Sequence, residues 1–421
     1  MIIFESTFPK DYRSDEIKRI LDHVTTGKFC QLVCIPGAGK ATILRLLAHN
    51  RNVLKLHLGE KEKSIRFIYS NLLELTSYDD AQIAKFLLLA LDQKIPKTDD
   101  SLVLTKQLNE TVNNLAGRGQ TLVLLFDHFD EYQNRLPRSF FQLLRGLNSV
   151  AKYKFAAVFA TRRDLRELID PEILKEFYDF FVGNTVYMQV WDKAASDFMF
   201  AQIEEVFKKK IPDADKKNIL QATAGHAKLT KITAELFLRE NIKLSKELLL
   251  ASSLVRAALF ELWLFLTAPE QQVLIQIAKG NEPEKDQTLE SLEKFDLVKQ
   301  DLSFTIPLFA QFVLKIIPTI TPQKITYDQN TKEIRKGENV ISDLLSPQEY
   351  RLLKFLIENQ GKIAERDQII KFVWPDAKAI EGISDEAIDQ MVFRLRKKIE
   401  DEPNSPKHII TLKGQGLRFV P

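Results

Sequence analysis

The chain has almost no cysteine: two residues in 421, Cys30 and Cys34. Both lie on one apolar segment, where four residues of strand would hold them roughly 13 Å apart. That is too far for a disulfide, and two thiols alone make no metal site. They read as small core residues of a reduced protein. An excess of charge of one sign is lacking too. The 60 basic and 57 acidic side chains leave a formal charge of +3, so any surface suited to a polyanion must be local. Long hydrophobic runs are absent. The most apolar later segment, Leu254 to Leu266, carries Arg256 and Glu261 and is too short to span a bilayer. The opening Met-Ile-Ile-Phe-Glu lacks the basic start and apolar stretch of a signal peptide. A cytoplasmic protein with no membrane partner is expected. The chain carries no internal repeat and no low-complexity tract.

What is present suits a soluble globular protein, with 45% hydrophobic and 28% charged residues. At this length two to four domains are expected. Residues 1–190 alternate short apolar runs with longer helical patterns. Phe29 to Ile35, Asn52 to Leu58, Thr121 to Phe126 and Phe155 to Ala160 read as strands, with Asn184 to Val190 a further candidate. Strands separated by helices imply a parallel sheet covered on both faces, with ligands at the carboxyl ends of its strands. Residues 191–255 are helical in pattern. Residues 256–318 run helix, break at Gly280-Asn281-Glu282-Pro283, helix, and the hairpin-like "FDLVKQDLSFTI", the outline of a winged helix. Pro318 and Pro322 flank a linker, and residues 319–421 form a separate unit. The fold class expected is thus multidomain, α/β followed by α+β.

The stretch "QLVCIPGAGKATILRLL" nearly spells a phosphate-binding loop, whose pattern is G-x-x-x-x-G-K-S/T. Gly39 and Lys40 fill the sixth and seventh places. Cys34 stands at the first glycine, whose role is conformational freedom, and Ala41 where a magnesium-binding hydroxyl belongs, with Thr42 one residue late. Backbone N–H groups of Gly37 to Lys40 and the Lys40 ammonium can still hold phosphates, since those contacts need no hydroxyl. Two further strands end in useful chemistry. "TLVLLFDHFDEY" ends in Asp127, with Asp130 and Glu131 beyond it. A carboxylate there can hold Mg²⁺ through water, and a nearby acid can orient an attacking water. "FAAVFATRRDL" ends in Thr161-Arg162-Arg163, where a guanidinium can reach a terminal phosphate. "TAGHAKLTKIT" is a glycine turn opening a helix. Each feature alone is equally at home in any α/β protein; their order is what distinguishes them.

In that order, over roughly Phe8 to Ile317, these features resemble the signal-transduction NTPases with numerous domains, relatives of the AAA+ and origin-recognition ATPases. The resemblance implies a P-loop NTPase sheet, a helical lid and a winged helix, with ATP or ADP as ligand and a weakened Mg²⁺ site. It places the nucleotide against Pro36, Gly37, Ala38, Gly39, Lys40, Ala41 and Thr42. Arg162 would sense the γ-phosphate, Gly225 and His226 would form the lid turn, and Arg13 would lie near the adenine. Asp127 would bind the metal, with Asp130 and Glu131 in catalysis. His128 replaces a second acid and Ala227 the lid proline, so nucleotide binding with weakened hydrolysis is implied.

The last hundred residues begin with short alternating strands broken at Asp328-Gln329-Asn330 and Lys336-Gly337-Glu338. "SPQEYRLLKFLIEN" opens a helix, with Ser346 as cap, Pro347 at the first position and Glu349 three residues after the cap. "AERDQIIKFVW", "SDEAIDQMVFRLRKKIE" and "HIITLKGQGLRFV" complete helix, long helix and glycine-tipped hairpin. Over its whole length this resembles the DNA-binding domain of OmpR/PhoB-type response regulators, without their receiver domain. The resemblance implies double-stranded DNA as partner, with the long helix in the major groove and the hairpin at the backbone. Gln390, Met391, Arg394 and Lys398 would face the groove; Arg396, Lys397, Thr411, Lys413 and Arg418 would meet phosphate or sugar. From Met391 onward seven basic residues stand against three acids, which suits a polyanion. Asp385, Glu386 and Asp389 at the helix start favour the helix but repel nearby phosphate, and Phe393 replaces a polar reader. Two functions follow: a nucleotide-gated transcriptional regulator, or a scaffold or defence-type assembly factor whose winged helices dock protein, with homo-oligomers possible in either.

Overall fold

The structure, a computed structural model, describes residues 4–132, 135–175, 177–180, 182–240, 245–320, 324–337, 339–375, 385–400, 406–412 and 415–421. The chain divides into two compact units, Met1–Lys315 and Ile316–Pro421. Among the described residues no helix is long and apolar enough to cross a membrane.

The first unit is built on five parallel strands: β1 (Cys30–Val33), β2 (Ile65–Asn71), β3 (Thr121–Asp127), β4 (Phe155–Thr161) and β5 (Thr185–Tyr187), in the order β2-β3-β4-β1-β5. β4 is buried throughout and β3 from Leu122 onward, so both read as unbroken apolar runs. β2 is an edge strand paired only with β3. Only its Ile68 and Ser70 are buried, and that weak pattern hid it in the sequence. The strand expected over Asn52 to Leu58 is instead the helix Arg51–Leu58. The Asn50 side chain caps it, accepting from the N–H groups of Asn52 (3.0 Å) and Val53 (3.2 Å). An Asx cap of this kind satisfies the first helical donors. The buried neighbours Val53 and Leu54 share a helical face rather than alternating across a strand.

Beyond the sheet, the helices Lys193–Phe207, Asp213–Thr223 and Ala227–Glu240 pack around Phe200, Ile203, Ile219 and Leu238. The helices Ala268–Ala278, Gln287–Lys294 and Pro307–Ile320 follow, with a Val298–Phe304 bridge before the last. A reciprocal cap between Thr267 and Glu270 opens the first of these.

In the second unit, β6 (Ile325–Tyr327), β7 (Ile334–Lys336) and β8 (Asn339–Val340) form one antiparallel sheet. β9 (Ile363–Ala364), β10 (Ile409–Leu412) and β11 (Gly416–Phe419) form another, in the order β10-β11-β9. The helices Pro347–Glu358, Arg366–Val373 and Asp385–Ile399 bury Leu352, Leu353, Ile369, Val392, Leu395 and Ile399 against Ile409 and Phe419. The expected Ser346–Glu349 capping box is present, with Pro347 in the first turn.

Candidate nucleotide site and candidate nucleic-acid interface

The candidate phosphate loop runs from β1 into the helix Lys40–His49. Cys34 continues the sheet, its N–H donating to the Thr161 carbonyl at 3.1 Å. A strand-like residue serves there, which explains how the first glycine can be dispensed with. Burial pushes the Cys34 thiol up to about 11, so it stays protonated. Gly37 and Gly39 are left-handed, with φ of 76° and 105°, turning the loop over the helix start. A methyl on Gly37 would lie 2.9 Å from Lys228 Cβ and 3.0 Å from His226 Cε1, because the lid turn sits directly on the loop.

That lid contact is specific. His226 Nε2 lies 2.9 Å from the Pro36 carbonyl, and Lys228 N–H donates to the Gly37 carbonyl at 3.1 Å. His226 Nδ1 accepts from the Leu229 N–H at 3.3 Å, so the ring proton belongs on Nε2, donating to Pro36. Gly225 is also required: a Cβ there would meet the Trp191 ring at 2.5 Å. Burial lowers the His226 pKa from 6.5 to about 4, against the raising effect of its bond to Pro36. The neutral ring therefore stabilises the fold above the ordinary pKa, and that contribution is lost as pH falls from 6.5 through 4. A shift of that size is worth on the order of 3 kcal/mol. Thermal unfolding from pH 7 to pH 4 should show a steeper loss in the wild type than in His226→Gln; parallel curves would remove this role.

Asp127 at the end of β3 and Asp130 beyond it differ. Phe129 is fully buried and packs edge-on against Phe159 at 4.8 Å; with left-handed His128 it fixes the turn. Asp127 is buried, accepting from Tyr69 Oη at 2.6 Å and from the His128 N–H at 2.9 Å. Burial and then the bond to Asp127 raise Tyr69 to about 12, which keeps the phenol a donor. Asp130 lies between two cations, 2.6 Å from Lys40 Nζ and 3.0 Å from Arg162 Nε. The side chain of Glu131 lies outside the described residues.

Phosphate fits this loop: two left-handed glycines, a helix start and an ammonium converge there. For Mg²⁺ the site is weakened, since Ala41 supplies no hydroxyl, while each Asp127 oxygen accepts one hydrogen bond and keeps a lone pair for a metal-bound water. Among the described residues no cluster of three or more His, Cys, Asp or Glu side chains could hold a metal. Beside Gly39 and Thr42 opens a cleft of about 450 Å³ walled by Phe8, Tyr12, Phe198 and Met199, with Gln202 at its edge. Phe8 and Phe198 are 4.3 Å apart, a surface on which a planar base can stack. These aromatics escaped the sequence reading, because Phe8 and Phe198 meet only in the fold. Arg13, expected there, is turned inward with φ of 50°. Its guanidinium donates to the Gln189 carbonyl (2.6 Å), the Val190 carbonyl (3.3 Å) and Glu16 (3.2 Å). It bolts the helix Ser14–Val24 to the chain leaving β5.

Arg162 and Arg163 are neighbours with separate partners. Arg163 donates to both Glu270 oxygens at 2.6 Å and to the Phe265 carbonyl at 2.7 Å, and stacks on Phe265 at 4.1 Å. Burial works against the Glu270 carboxylate, but the bonds and charge of Arg163 together with the bonds from Thr267 outweigh it and hold its pKa below the ordinary value.

In the second unit the helix Asp385–Ile399 presents Gln390, Phe393, Arg394 and Lys397 to solvent, positions spaced to share one face. Met391, expected in the groove, is 1% exposed and belongs to the core, because it shares the face of Ile388 and Leu395. Lys398, also expected to face the groove, is exposed but spends its ammonium on Glu349 (2.6 Å) and the Leu344 carbonyl (2.9 Å). Arg396 clamps β10, through the Ile409 carbonyl (2.6 Å) and Thr411 Oγ1 (2.7 Å). Thr411 and Arg418 are exposed on the β10–β11 hairpin; Lys413 lies outside the described residues. Glu400 turns inward, accepting from the N–H groups of Lys407, His408 and Ile409 at 2.8–2.9 Å. One of the three acids counted against the basic surface is thus spent on holding the hairpin. Asp389 pairs with Arg366 at 2.9 Å.

Residues 343–419 match the family described as "Transcriptional regulatory protein, C terminal". The transcriptional regulatory protein KdpE of Mycobacterium tuberculosis is 34% identical over 102 residues, 24% of this chain and 43% of that protein. The KDP operon regulator KdpE of Escherichia coli is 33% identical over 103 residues, 24% of this chain and 44% of its own. The chain thus spans less than half the length of these relatives. Among solved structures, the Klebsiella pneumoniae RstA DNA-binding domain in complex with RstA box is 26% identical. It covers 24% of this chain and 94% of its own, with a TM-score of 0.20. The Walker-type ATPase paby2304 of Pyrococcus abyssi is 16% identical, covering 74% and 97%, with a TM-score of 0.47.

Proposed function

We propose that this chain, whose residues 343–419 form an OmpR/PhoB-type domain of transcriptional regulators, binds double-stranded DNA under the control of a nucleotide held in its first unit. The observation that carries the reading is the solvent face of the helix Asp385–Ile399. Gln390 and Arg394 offer the amide and guanidinium that pair with adenine and guanine edges. Lys397 and Arg418 offer charge to the phosphates. ATP or ADP would lie with its phosphates on Gly37 to Lys40, its terminal phosphate near Arg162 and its base in the Phe8–Tyr12–Phe198 cleft. The Lys40–Asp130 pair and the missing hydroxyl at Ala41 support a resident nucleotide acting as a switch with little turnover. The same two features also favour a scaffold that binds nucleotide for structure alone and docks protein.

Duplex binding measured against salt separates the two. For the regulator, affinity falls steeply with salt, and Arg394→Ala costs roughly 1–3 kcal/mol if it reads a guanine. Absence of duplex binding at low salt rejects the regulator in favour of the scaffold. Equal affinities with ADP and with ATP reject the gating while leaving DNA binding intact.

A further inference from the structure

We infer that Phe393 reads the C5-methyl group of a pyrimidine, thymine in ordinary DNA, in the major groove. The inference rests on the DNA-binding reading above and adds to it a base preference that the polar residues do not carry.

The helix Asp385–Ile399 buries its large apolar side chains with one exception. Ile388, Met391, Val392, Leu395 and Ile399 are all within 3% of full burial, whereas Phe393 is 45% exposed. The ring stands in the middle of the solvent face, one turn after Gln390 and next to Arg394. The ammonium of Lys397 lies 4.6 Å from its centroid. This cation–π contact covers one side of the ring and leaves the remainder outward. Core packing does not account for the position, since the interior of the unit is closed by the buried set without it.

A groove offers such a ring one kind of partner. Base edges in the major groove are hydrogen-bond donors and acceptors, which Gln390 and Arg394 can satisfy and a phenyl ring cannot. The exception is the thymine methyl, an apolar group projecting from the groove floor. Laying the ring against it removes both from water. Cytosine carries a hydrogen at that position, so the contact distinguishes T·A from C·G by a methyl alone. A 5-methylcytosine presents the same group, so the chemistry recognised is a 5-methylpyrimidine and the two sources need separate tests.

The full chain should be used to select duplexes from a random library, and the selected duplex then resynthesised with deoxyuridine replacing each thymine in turn. At one position the loss of the methyl should weaken wild-type binding about fourfold, the equivalent of one buried methyl. Phe393→Ala should bind the thymine and deoxyuridine duplexes equally there, with an unchanged salt slope; Phe393→Leu should keep part of the preference. With C·G at that position, methylating the cytosine should strengthen wild-type binding by a similar factor if the methyl alone is read. No gain there would confine the contact to thymine. Equal wild-type affinity for thymine and deoxyuridine at every position overturns the inference while leaving DNA binding standing. A preference that survives in Phe393→Ala overturns the assignment to this residue. Selection of no duplex at all removes the DNA-binding reading and this inference with it, and the ring then becomes a protein contact.

Discussion

Replacing Lys40 by alanine is expected to cost roughly 3 kcal/mol of nucleotide affinity, about 100-fold, because a charged hydrogen bond to phosphate disappears. The ammonium is held by Asp130 at 2.6 Å and lies 3.5 Å from the Ala160 carbonyl. A ligand phosphate would compete with Asp130 for it. Calorimetric titration with ADP and ATP, beside chromatography of nucleotide released on denaturation, measures the effect. Wild-type protein carrying nucleotide and an empty Lys40→Ala variant is the expected pair. Unchanged affinity in the variant would sink the assignment of the loop.

The largest expected loss of stability comes from Arg163→Ala, roughly 3–5 kcal/mol, the cost of leaving a buried charge without its partner. The Glu270 side chain is only 5% exposed and that of Arg163 11%, so water replaces little of what is lost. Stacking on Phe265 and on Phe295, at 4.1 and 4.9 Å, goes with it. Arg163→Lys should not rescue, since a single ammonium cannot span both oxygens and the Phe265 carbonyl. Replacing Arg163 and Glu270 together by methionine should recover much of the stability, because no charge is then stranded. Denaturant unfolding of the three variants measures this; a loss below about 1 kcal/mol in Arg163→Ala would reduce the clamp to an ordinary surface pair.

Adjacent arginines thus have different reach. Arg162 faces the phosphate loop through Asp130, and Arg163 holds the segment beginning at Thr267. Both follow the end of β4 at Thr161, where the chain bends, and the bend turns the two side chains to different neighbours. The resemblance assigned Arg162 alone, and the clamp made by Arg163 left no signal in the sequence.

The legibility of the other elements follows the same physics. β3 and β4 were readable because central parallel strands are apolar on both faces. β2, with one pairing partner and a half-wet surface, left no such run. Asn52 to Leu58 alternates in hydrophobicity yet forms a helix, because a local Asx cap outweighs a short period-two pattern. In the second unit the Ser346–Glu349 cap and the order of elements were legible for the same reason: their signals are local.

By itself, then, the sequence determined the parallel sheet's central strands, the glycine loop after β1, the acids and arginines at the strand ends, and the winged helix-turn-helix of the last hundred residues. These depend on contacts between near neighbours and on periodic burial. Only the tertiary structure decided that Arg13 points inward and that Phe8, Tyr12 and Phe198 wall a cleft. It alone set His226 on Pro36 and seated Asp130 between Lys40 and Arg162. On the long helix it sent Met391 into the core and left Phe393 in solvent. All but the last are settled by residues tens to nearly two hundred positions apart, which leave no mark in local spacing; on the long helix the spacing of Ile388, Met391 and Leu395 did carry the signal.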